Sequence, residues 1–120
     1  MPPGVIAHPA YTPAWEHHVG PEQFVEAAKL ADELGYSHIG VSEHVAVPTA
    51  AAAERGGTYW DPLATLSFLA AHTSRIRLLT QVLVLGYHHP LAVVKRYGTL
   101  DRLSGGRVVL GVGVGSLPEE

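Results

Sequence analysis

Apolar residues recur at three- and four-residue spacing in three separate segments of the chain, which is the pattern of an amphipathic helix. Each segment begins at a proline, namely Pro21, Pro62 or Pro90. Proline suits the first position of a helix because that position needs no backbone donor. The predicted helices are residues 21–34, 62–73 and 90–104.

Each predicted helix has one apolar face that should pack on a core. Gly35 and Gly105 follow the first and third helices, at the position where a left-handed glycine commonly ends a helix. The core-facing positions are Phe24, Ala27, Ala28, Ala31 and Leu34 in the first helix, Leu63, Leu66, Leu69 and Ala70 in the second, and Leu91, Val94, Tyr97 and Leu100 or Asp101 in the third.

Runs typical of buried strands lie between these helices. The longest run, residues 76–85, is almost continuously apolar and rich in branched side chains, as in a parallel strand covered on both faces. Strand and helix therefore alternate, which predicts an α/β fold with a parallel sheet. The predicted strands are residues 5–7, 38–42, 76–85 and 108–115.

Two parallel architectures fit this order: an open doubly wound sheet and a (β/α)8 barrel. The strands recur at intervals of roughly 30 to 40 residues, which suits strand–helix–strand units with right-handed crossovers. Four such units make close to half of a barrel of about 250 residues. The sequence stops on a strand without a helix to cover it. The pattern by itself leaves both architectures open.

The composition is that of an ordinary globular chain, with 47% hydrophobic residues, 16% charged residues and a formal net charge of −3. The eight Lys and Arg residues are scattered, so we expect no nucleic-acid partner. No apolar stretch approaches the roughly 18 residues of a membrane span, and no signal-peptide pattern is present. We expect a cytoplasmic protein with no membrane partner. The absence of cysteine excludes disulfides, thiolate metal sites and a cysteine nucleophile.

Polar residues at the carboxyl ends of the strands are the candidates for chemistry, because the loops of parallel α/β proteins converge there. Three of the four predicted ends carry histidine: His8, His44 beside Glu43, and the pair His88 and His89. A histidine can donate or accept a proton near neutral pH, and Glu43 could orient His44. The alternative for His44 is a loop histidine bonded to backbone. One of His88 and His89 could simply cap the third helix.

Motifs for metal or serine chemistry are missing from the sequence. The first strand has no His-x-His, and no helix carries His-Glu-x-x-His. A Gly-x-Ser-x-Gly elbow is also absent. We therefore predict neither a metal site nor a serine nucleophile.

Gln81 places a bulky amide inside the most apolar strand. A buried amide must find hydrogen-bond partners. Gln81 therefore either faces a ligand cavity or bonds a neighbouring strand at an irregularity such as a bulge.

Glycine occupies every second position from Gly111 to Gly115, so Gly111, Gly113 and Gly115 share one face of the fourth strand. Glycine weakens a strand, and the usual compensation is a bend or the close approach of a flat group or another backbone. A dinucleotide fingerprint would instead place its glycines in the turn after the strand. We predict a strand, followed by Ser116, with something large close to its glycine face.

Seven short motifs occur in order along the chain, and together they resemble a known family. They are Ala28-Lys-Leu-Ala-Asp-Glu-Leu-Gly-Tyr36, Val41-Ser-Glu-His44, Asp61-Pro-Leu63, Thr73-Ser-Arg-Ile-Arg77, His89-Pro-Leu91, Thr99-Leu-Asp-Arg-Leu-Ser-Gly-Gly-Arg107 and Leu110-Gly-Val-Gly-Val-Gly115. The set resembles the N-terminal half of the bacterial luciferase-like monooxygenases, particularly the branch of oxidoreductases that depend on coenzyme F420. The stretch 99–115 is its most specific part.

The resemblance implies that residues 1–120 are the N-terminal half of a (β/α)8 barrel, truncated after the fourth strand. It also implies a flavin or the deazaflavin coenzyme F420 at the strand ends, with hydride transfer between the ring and an organic substrate. Glu43 and His44 match the acidic residue and histidine that lie beside the ring, with His44 as the proton donor or acceptor. The family's non-prolyl cis peptide, which bulges against the ring, falls by position at Gln81-Val82. Such a peptide would also explain the polar residue there.

The resemblance further implies that Gly111, Gly113 and Gly115 leave room for the cofactor, with Ser116 next to it. Sugar-phosphate dehydrogenases of this superfamily carry a glutamate at the position of Ser116, so sugar-phosphate chemistry is not expected. We expect coenzyme F420, with FMN as the alternative, a small-molecule substrate, and a homodimer when the protein is full length. The fragment alone is expected to be inactive. The competing hypothesis is a non-catalytic half-barrel that associates with itself or with another subunit.

Overall fold

A computed structural model describes residues 5–7, 19–49, 52 and 58–116, and these residues contain a parallel sheet with helices packed against it. The four strands lie in sequence order, and each neighbouring pair is parallel. The elements are β1 (Val5–Ala7), α1 (Pro21–Glu33), β2 (His38–Val41), α2 (Pro62–Ala70), β3 (Arg77–Val84), a short 3-10 helix (Leu85–Tyr87), α3 (Pro90–Ser104) and β4 (Val108–Gly113). This order and pairing confirm the predicted α/β fold.

The three helices begin at the predicted prolines, and each is preceded by a residue that helps to close its first turn. The Gln23 side chain accepts a hydrogen bond from the backbone N–H of Gly20 at 2.9 Å. Asp61 Oδ1 accepts from Ala64 N at 2.7 Å, and His89 Nδ1 accepts from Leu91 N at 3.3 Å. His89 is therefore the histidine that caps α3.

The helix ends agree less closely with the sequence pattern. Gly35 and Gly105 both have positive φ, at 78° and 74°, as expected for glycines that end helices. α2 ends at Ala70 and not near Thr73, whose hydroxyl donates to Leu69 O at 2.8 Å. β4 ends at Gly113, two residues before the predicted end.

The core lies between the sheet and the helices, but two helices turn a different face to it than the sequence pattern predicted. In α1, Ala28, Ala31 and Asp32 are buried, whereas Ala27 and Leu34 are exposed. Asp32 can face the core because backbone N–H groups donate hydrogen bonds to its carboxylate. The spacing of apolar residues does not reveal a buried polar position of this kind. The other buried core residues are Ile39, Val41, Leu66, Leu69, Ile76, Leu78 and Leu100.

In α3 the predicted positions Leu91 and Val94 are exposed, and Tyr97 and Leu100 are buried. The partly buried Val93 lies one helical turn before Tyr97, so the buried stripe follows a period of 3.6 residues through Val93. The prediction was wrong at Leu91 and Val94 because it used a three-residue spacing throughout, which departs from the buried stripe towards the start of the helix. The face predicted for α2 is confirmed, with Leu66 and Leu69 buried and Leu63 and Ala70 packed against the core.

Asp32 joins α1 to the start of β3. Its Oδ1 accepts hydrogen bonds from Arg75 N at 3.0 Å and Ile76 N at 2.6 Å, and its Oδ2 accepts from Ser74 N at 2.8 Å and Ser74 Oγ at 3.1 Å. Burial by itself raises the pKa of Asp32, but these hydrogen bonds outweigh it and lower the pKa below its ordinary value of 3.8. The ionised form is therefore favoured in the folded chain.

Arg107 makes a second buried connection near the amino ends of β3 and β4. Its guanidinium donates to three backbone carbonyl oxygens, those of Ser104 at 2.8 Å, Ile76 at 3.1 Å and Ala70 at 2.9 Å. It also donates to Thr73 Oγ1 at 2.9 Å.

In the part of the chain that the structure describes, no helix is long and apolar enough to cross a membrane.

We expect Asp32→Asn to lower the free energy of unfolding by about 2 kcal/mol, because an amide nitrogen cannot accept the hydrogen bonds that one carboxylate oxygen accepts now. Urea denaturation followed by circular dichroism measures this. Glu33→Gln, at the exposed neighbouring residue, is the matched control and should leave stability nearly unchanged. Equal losses in the two variants would contradict the role given to Asp32.

The same contact predicts a pH dependence. Since the pKa of Asp32 is lower in the folded chain than its ordinary 3.8, its stabilising contribution is complete above that pH and is lost as the pH falls through the folded value. The stability difference between the wild type and Asp32→Asn should therefore shrink below about pH 4. Urea midpoints measured for both proteins between pH 3 and pH 7 test this; a constant difference would refute it.

Candidate active site at the carboxyl ends of the strands

Parallel pairing brings the residues that follow β2, β3 and β4 to one edge of the sheet. Glu43 and His44 follow β2, the segment from Leu85 to His89 follows β3, and Gly115 and Ser116 follow β4. These segments were predicted to be the strand ends that meet. The histidine predicted after β1, His8, lies outside the described residues.

Glu43 is buried, at 7% exposure, and both of its carboxylate oxygens accept hydrogen bonds from the β3 side. Oε2 accepts from the backbone N–H of Val84 at 2.7 Å, and Oε1 lies 2.7 Å from His88 Nε2. The sequence suggested that Glu43 could orient His44, its neighbour in the chain. In the structure the Glu43 carboxylate contacts His88, which is 45 residues away in sequence, and an orienting contact to His44 stays a prediction.

His44 is half-buried, and its ring packs edge-on against the ring of Tyr59, with centroids 4.4 Å apart and planes at 72°. Tyr59 lies just before the N-cap of α2, Asp61. An edge-on aromatic contact of this kind restricts the orientation of an imidazole. Glu43 and His44, although adjacent, thus each contact a ring from a distant part of the chain, His88 and Tyr59 respectively.

A small polar pocket lies behind Glu43, between the end of β2 and the helices α2 and α3. Burial, followed by the negative charges of Glu43 and Asp61, raises the pKa of the Tyr97 phenol far above its ordinary value, so this side chain stays protonated. The lining residues are Glu43, Asp61, Leu63, His88, Val93, Arg96 and Tyr97. Within the described ranges, no three His, Asp or Glu side chains are grouped as a metal ion would require.

β3 contains one residue more than β4 between two paired positions. Thr80 pairs with Leu110 and Leu83 pairs with Val112, so three steps along β3 correspond to two along β4. This is a β-bulge. The Gln81-Val82 peptide at this point is cis, as predicted. Gln81 thus lies at a strand irregularity, which is one of the two roles that its sequence position suggested. The other role, contact with a ligand, stays a prediction.

The glycines of β4 lie where β3 comes closest. A Cβ atom at Gly111 would overlap Thr80 O, and one at Gly113 would lie 2.6 Å from Val82 Cγ2. Thr80 Oγ1 also donates to Gly111 O at 2.9 Å. The space beside these two glycines is therefore occupied by β3, so their first role is strand packing. Direct contact of Gly111 or Gly113 with a cofactor stays a prediction.

Gly115 and Ser116 follow β4 and are exposed. Gly115 has φ 87°, a left-handed conformation that favours glycine. A Cβ atom at Gly115 would lie 3.2 Å from Val84 Cγ1 and 3.3 Å from the Tyr87 hydroxyl oxygen. The end of β4 therefore packs against the segment from Val84 to His88, whose two ends are hydrogen-bonded to Glu43. The predicted cofactor contacts of Gly115 and Ser116 stay predictions.

Sequence reasoning placed His88 at a strand end but did not assign its contact with Glu43, and it did not name Tyr59. His88 and His89 precede Pro90, and either histidine could have been the cap of α3. The signal that could have separated them is the N-cap position itself, immediately before the helix-starting proline, which belongs to His89 and leaves His88 for another role. Tyr59 carried no comparable signal, because its contact with His44 depends on how the loop before α2 folds.

The fold and the polar groups at the strand ends are those of a (β/α)8-barrel protein, of which the described residues of this chain contain four strands. The site of such a protein lies at the carboxyl ends of the strands. Residues 3–120 match the family model of the luciferase-like monooxygenases. The chain belongs to this family, so the predicted family and barrel type are confirmed.

The relatives of the chain include monooxygenases and a dehydrogenase. It is 41% identical over 96 residues to 4-hydroxyprotoasukamycin monooxygenase from Streptomyces nodosus subsp. asukaensis, covering 80% of the chain and 24% of that protein. It is 35% identical over 102 residues to the F420-dependent glucose-6-phosphate dehydrogenase of Amycolatopsis mediterranei, covering 84% and 29%. The crystal structure of the monooxygenase RslO1 from Streptomyces bottropensis superposes with a TM-score of 0.79 at 34% identity, covering 99% and 35%.

The chain thus spans between about a quarter and a third of the length of these proteins. The RslO1 structure shares the fold of nearly the whole chain. The class of chemistry in this family is oxidation and reduction, as the names of the monooxygenase and dehydrogenase relatives indicate.

We expect Gly113→Ala to lower the free energy of unfolding by about 1–3 kcal/mol, because the new methyl group must displace Val82 or β4. Gly98→Ala is the matched control: Gly98 lies inside α3 with nothing within 4 Å of its Cβ position, so alanine there should stabilise by about 0.5–1 kcal/mol. Thermal and urea denaturation measure both changes. Stabilisation in both variants would show that β3 does not require glycine at position 113.

Proposed function

We propose that this chain supplies the strand-end wall of an oxidoreductase site that binds coenzyme F420. The observation that carries the proposal is the bulge of β3, which lies against glycines of β4 at the edge where His44 also lies. At that bulge Val82 remains 37% exposed, so an apolar side chain is available to the face of a flat ring. Similarity to an F420-dependent dehydrogenase supports the choice of cofactor, with FMN as the alternative.

Bound coenzyme F420 would supply hydride transfer to or from a small organic substrate. His44 is the residue we assign to hold or move a proton, because it is half-buried and its ring is fixed by Tyr59. Val82, Gly113 and Gly115 would form the surface behind the ring. Glu43 is assigned no proton transfer, since both of its carboxylate oxygens already accept hydrogen bonds.

The substrate stays outside this assignment, because the loops that would enclose it belong largely to the longer family members. Ser116 stands where sugar-phosphate dehydrogenases of the superfamily carry a glutamate, which disfavours a sugar phosphate. We expect a small-molecule substrate, a cytoplasmic protein and a homodimer for the full-length form. The 120-residue chain alone is expected to lack turnover, because its described residues supply four of the eight strand ends of a (β/α)8 barrel.

A fluorescence titration of the chain with coenzyme F420 and with FMN tests the cofactor assignment. We expect saturable binding that is tighter for coenzyme F420. His44→Leu should weaken that binding roughly tenfold, the effect of one lost hydrogen bond of about 1.4 kcal/mol. His72→Leu is the control, because His72 is exposed and follows α2 at the opposite edge of the sheet.

Tighter binding of FMN would overturn the choice of cofactor. No saturable binding of either compound would overturn the assignment of this edge as a cofactor wall. An equal loss in His44→Leu and His72→Leu would remove His44 from the site.

A second function, a non-catalytic half-barrel that associates with a copy of itself, is favoured by the side chains around β4. Among the described residues β4 pairs only with β3, and Leu110, Val112 and Val114 are exposed at 44%, 51% and 95%. Apolar residues at a sheet edge promote association. Sedimentation equilibrium with and without coenzyme F420 separates the two functions. A stable dimer that binds no cofactor supports the second, and a monomer that binds it stoichiometrically refutes it.

A further inference from the structure

The contact between Glu43 and His88 links the ends of β2 and β3 through a nearly buried carboxylate. The side chain of Glu43 is 5% exposed and that of His88 is 21% exposed, and Oε1 and Nε2 are 2.7 Å apart. Because a carboxylate only accepts hydrogen bonds, the imidazole must carry its proton on Nε2. That nitrogen is therefore occupied in both the neutral and the protonated ring, and it is not available to a substrate.

The contact connects three segments that are distant in sequence. Glu43 follows β2, and its other oxygen accepts from Val84 N, at the last residue of β3. His88 follows the 3-10 helix, and its backbone N–H donates to Leu85 O at 3.3 Å. One carboxylate therefore fixes both ends of the segment from Val84 to His88.

This segment carries the surface against which the end of β4 rests. Val84 Cγ1 and the Tyr87 hydroxyl are the atoms nearest to the Cβ position of Gly115, at 3.2 Å and 3.3 Å. Val84 is 3% exposed, so it has little freedom to move by itself. A shift of residues 84–88 would consequently move the end of β4 as well as the bulge that precedes Val84.

We propose that Glu43 and His88 act as a positioning pair that holds the β3 bulge and the end of β4 in the arrangement the cofactor requires. The functional part of this inference rests on the proposed function. The pair acts through Val84 and Tyr87 and does not touch the reacting atoms. His44, whose ring packs on Tyr59, stays the candidate for proton transfer.

The alternative roles for Glu43 and His88 are less compatible with the contacts. A proton donor or acceptor needs an atom that can reach the substrate, but the Glu43 side chain is 5% exposed and His88 Nε2 points to it at 2.7 Å. A purely stabilising ion pair would not need to bond a backbone N–H beside a bulge. Removal of one partner leaves a buried carboxylate or imidazole with an unmet hydrogen bond, which displaces the segment.

The test is nitrogen-15 NMR of the labelled 120-residue chain, with Glu43→Gln and His88→Gln as variants and His89→Gln as the matched control. His89 is adjacent and exposed, and its Nδ1 caps α3 by accepting a hydrogen bond from Leu91 N. We expect His88 in the wild type to be protonated on Nε2. In Glu43→Gln the amide oxygen keeps Val84 N while the amide NH2 faces the ring, so the His88 proton should move to Nδ1.

Hydrogen exchange provides the second readout. The Val84 amide should be strongly protected in the wild type and in His89→Gln, and it should exchange at least about tenfold faster in Glu43→Gln, because its acceptor is no longer charged. His88→Gln keeps a donor toward Glu43, so its protection should lie between these values. A His88 ring protonated only on Nδ1 in the wild type, or an unchanged Val84 exchange rate in Glu43→Gln, would overturn the inference.

A titration of the same proteins with coenzyme F420 tests the functional part. We expect the dissociation constant to rise about tenfold in Glu43→Gln and to stay unchanged in His89→Gln. If the wild type binds no coenzyme F420, the proposed function fails, while the tautomer and exchange measurements still decide whether the pair holds β3. If binding is normal in Glu43→Gln although Val84 exchanges faster, the pair holds β3 but does not position the cofactor wall.

Discussion

The extra residue in β3 is the constraint on which the strand-end edge depends. Between Thr80 and Leu83 the backbone of β3 is one residue longer than the facing part of β4, so it must come out of the regular ladder. It can do so only where β4 has no side chain in the way, as at Gly111 and Gly113. The bulge in turn leaves Val82 exposed at the edge where the strands end.

Two buried carboxylates hold opposite ends of β3. Asp32 accepts the backbone N–H groups that lead into the strand, and Glu43 accepts the N–H of its last residue. The two contacts serve different purposes, because the amino ends of barrel strands mainly contribute to stability and the carboxyl ends carry the site. Asp32 is accordingly surrounded by backbone donors, whereas Glu43 shares its carboxylate with His88 and borders a pocket.

The elements were predictable from sequence because their signals are local. Proline with a capping residue before it marks each helix start, and the long apolar run marks β3. The position of the cis peptide followed from the family resemblance. The buried face of α1 was less predictable, because apolar spacing alone does not reveal that Asp32 is satisfied by backbone from residues 42 to 44 positions further along the chain. In α3 the three-residue spacing pointed to Leu91, whereas the buried stripe passes through Val93.

The sequence predicted which strand ends meet, and it did not predict the contacts made there. Glu43 and His44 were expected to act together because they are neighbours in the chain, yet Glu43 bonds His88 and His44 contacts Tyr59. These partners depend on the register of β2 against β3 and on the loop before α2. Neither is encoded in a short motif.

Chemical-shift mapping on addition of coenzyme F420 tests the central claim, that the ends of β2, β3 and β4 form one wall of a deazaflavin site. The account predicts the largest amide shifts at Val82, Gly113 and Gly115, together with a change in the ring signals of His44. Shifts confined to the opposite edge, around Ser74 and Arg107, or no shifts at saturating cofactor, would contradict it.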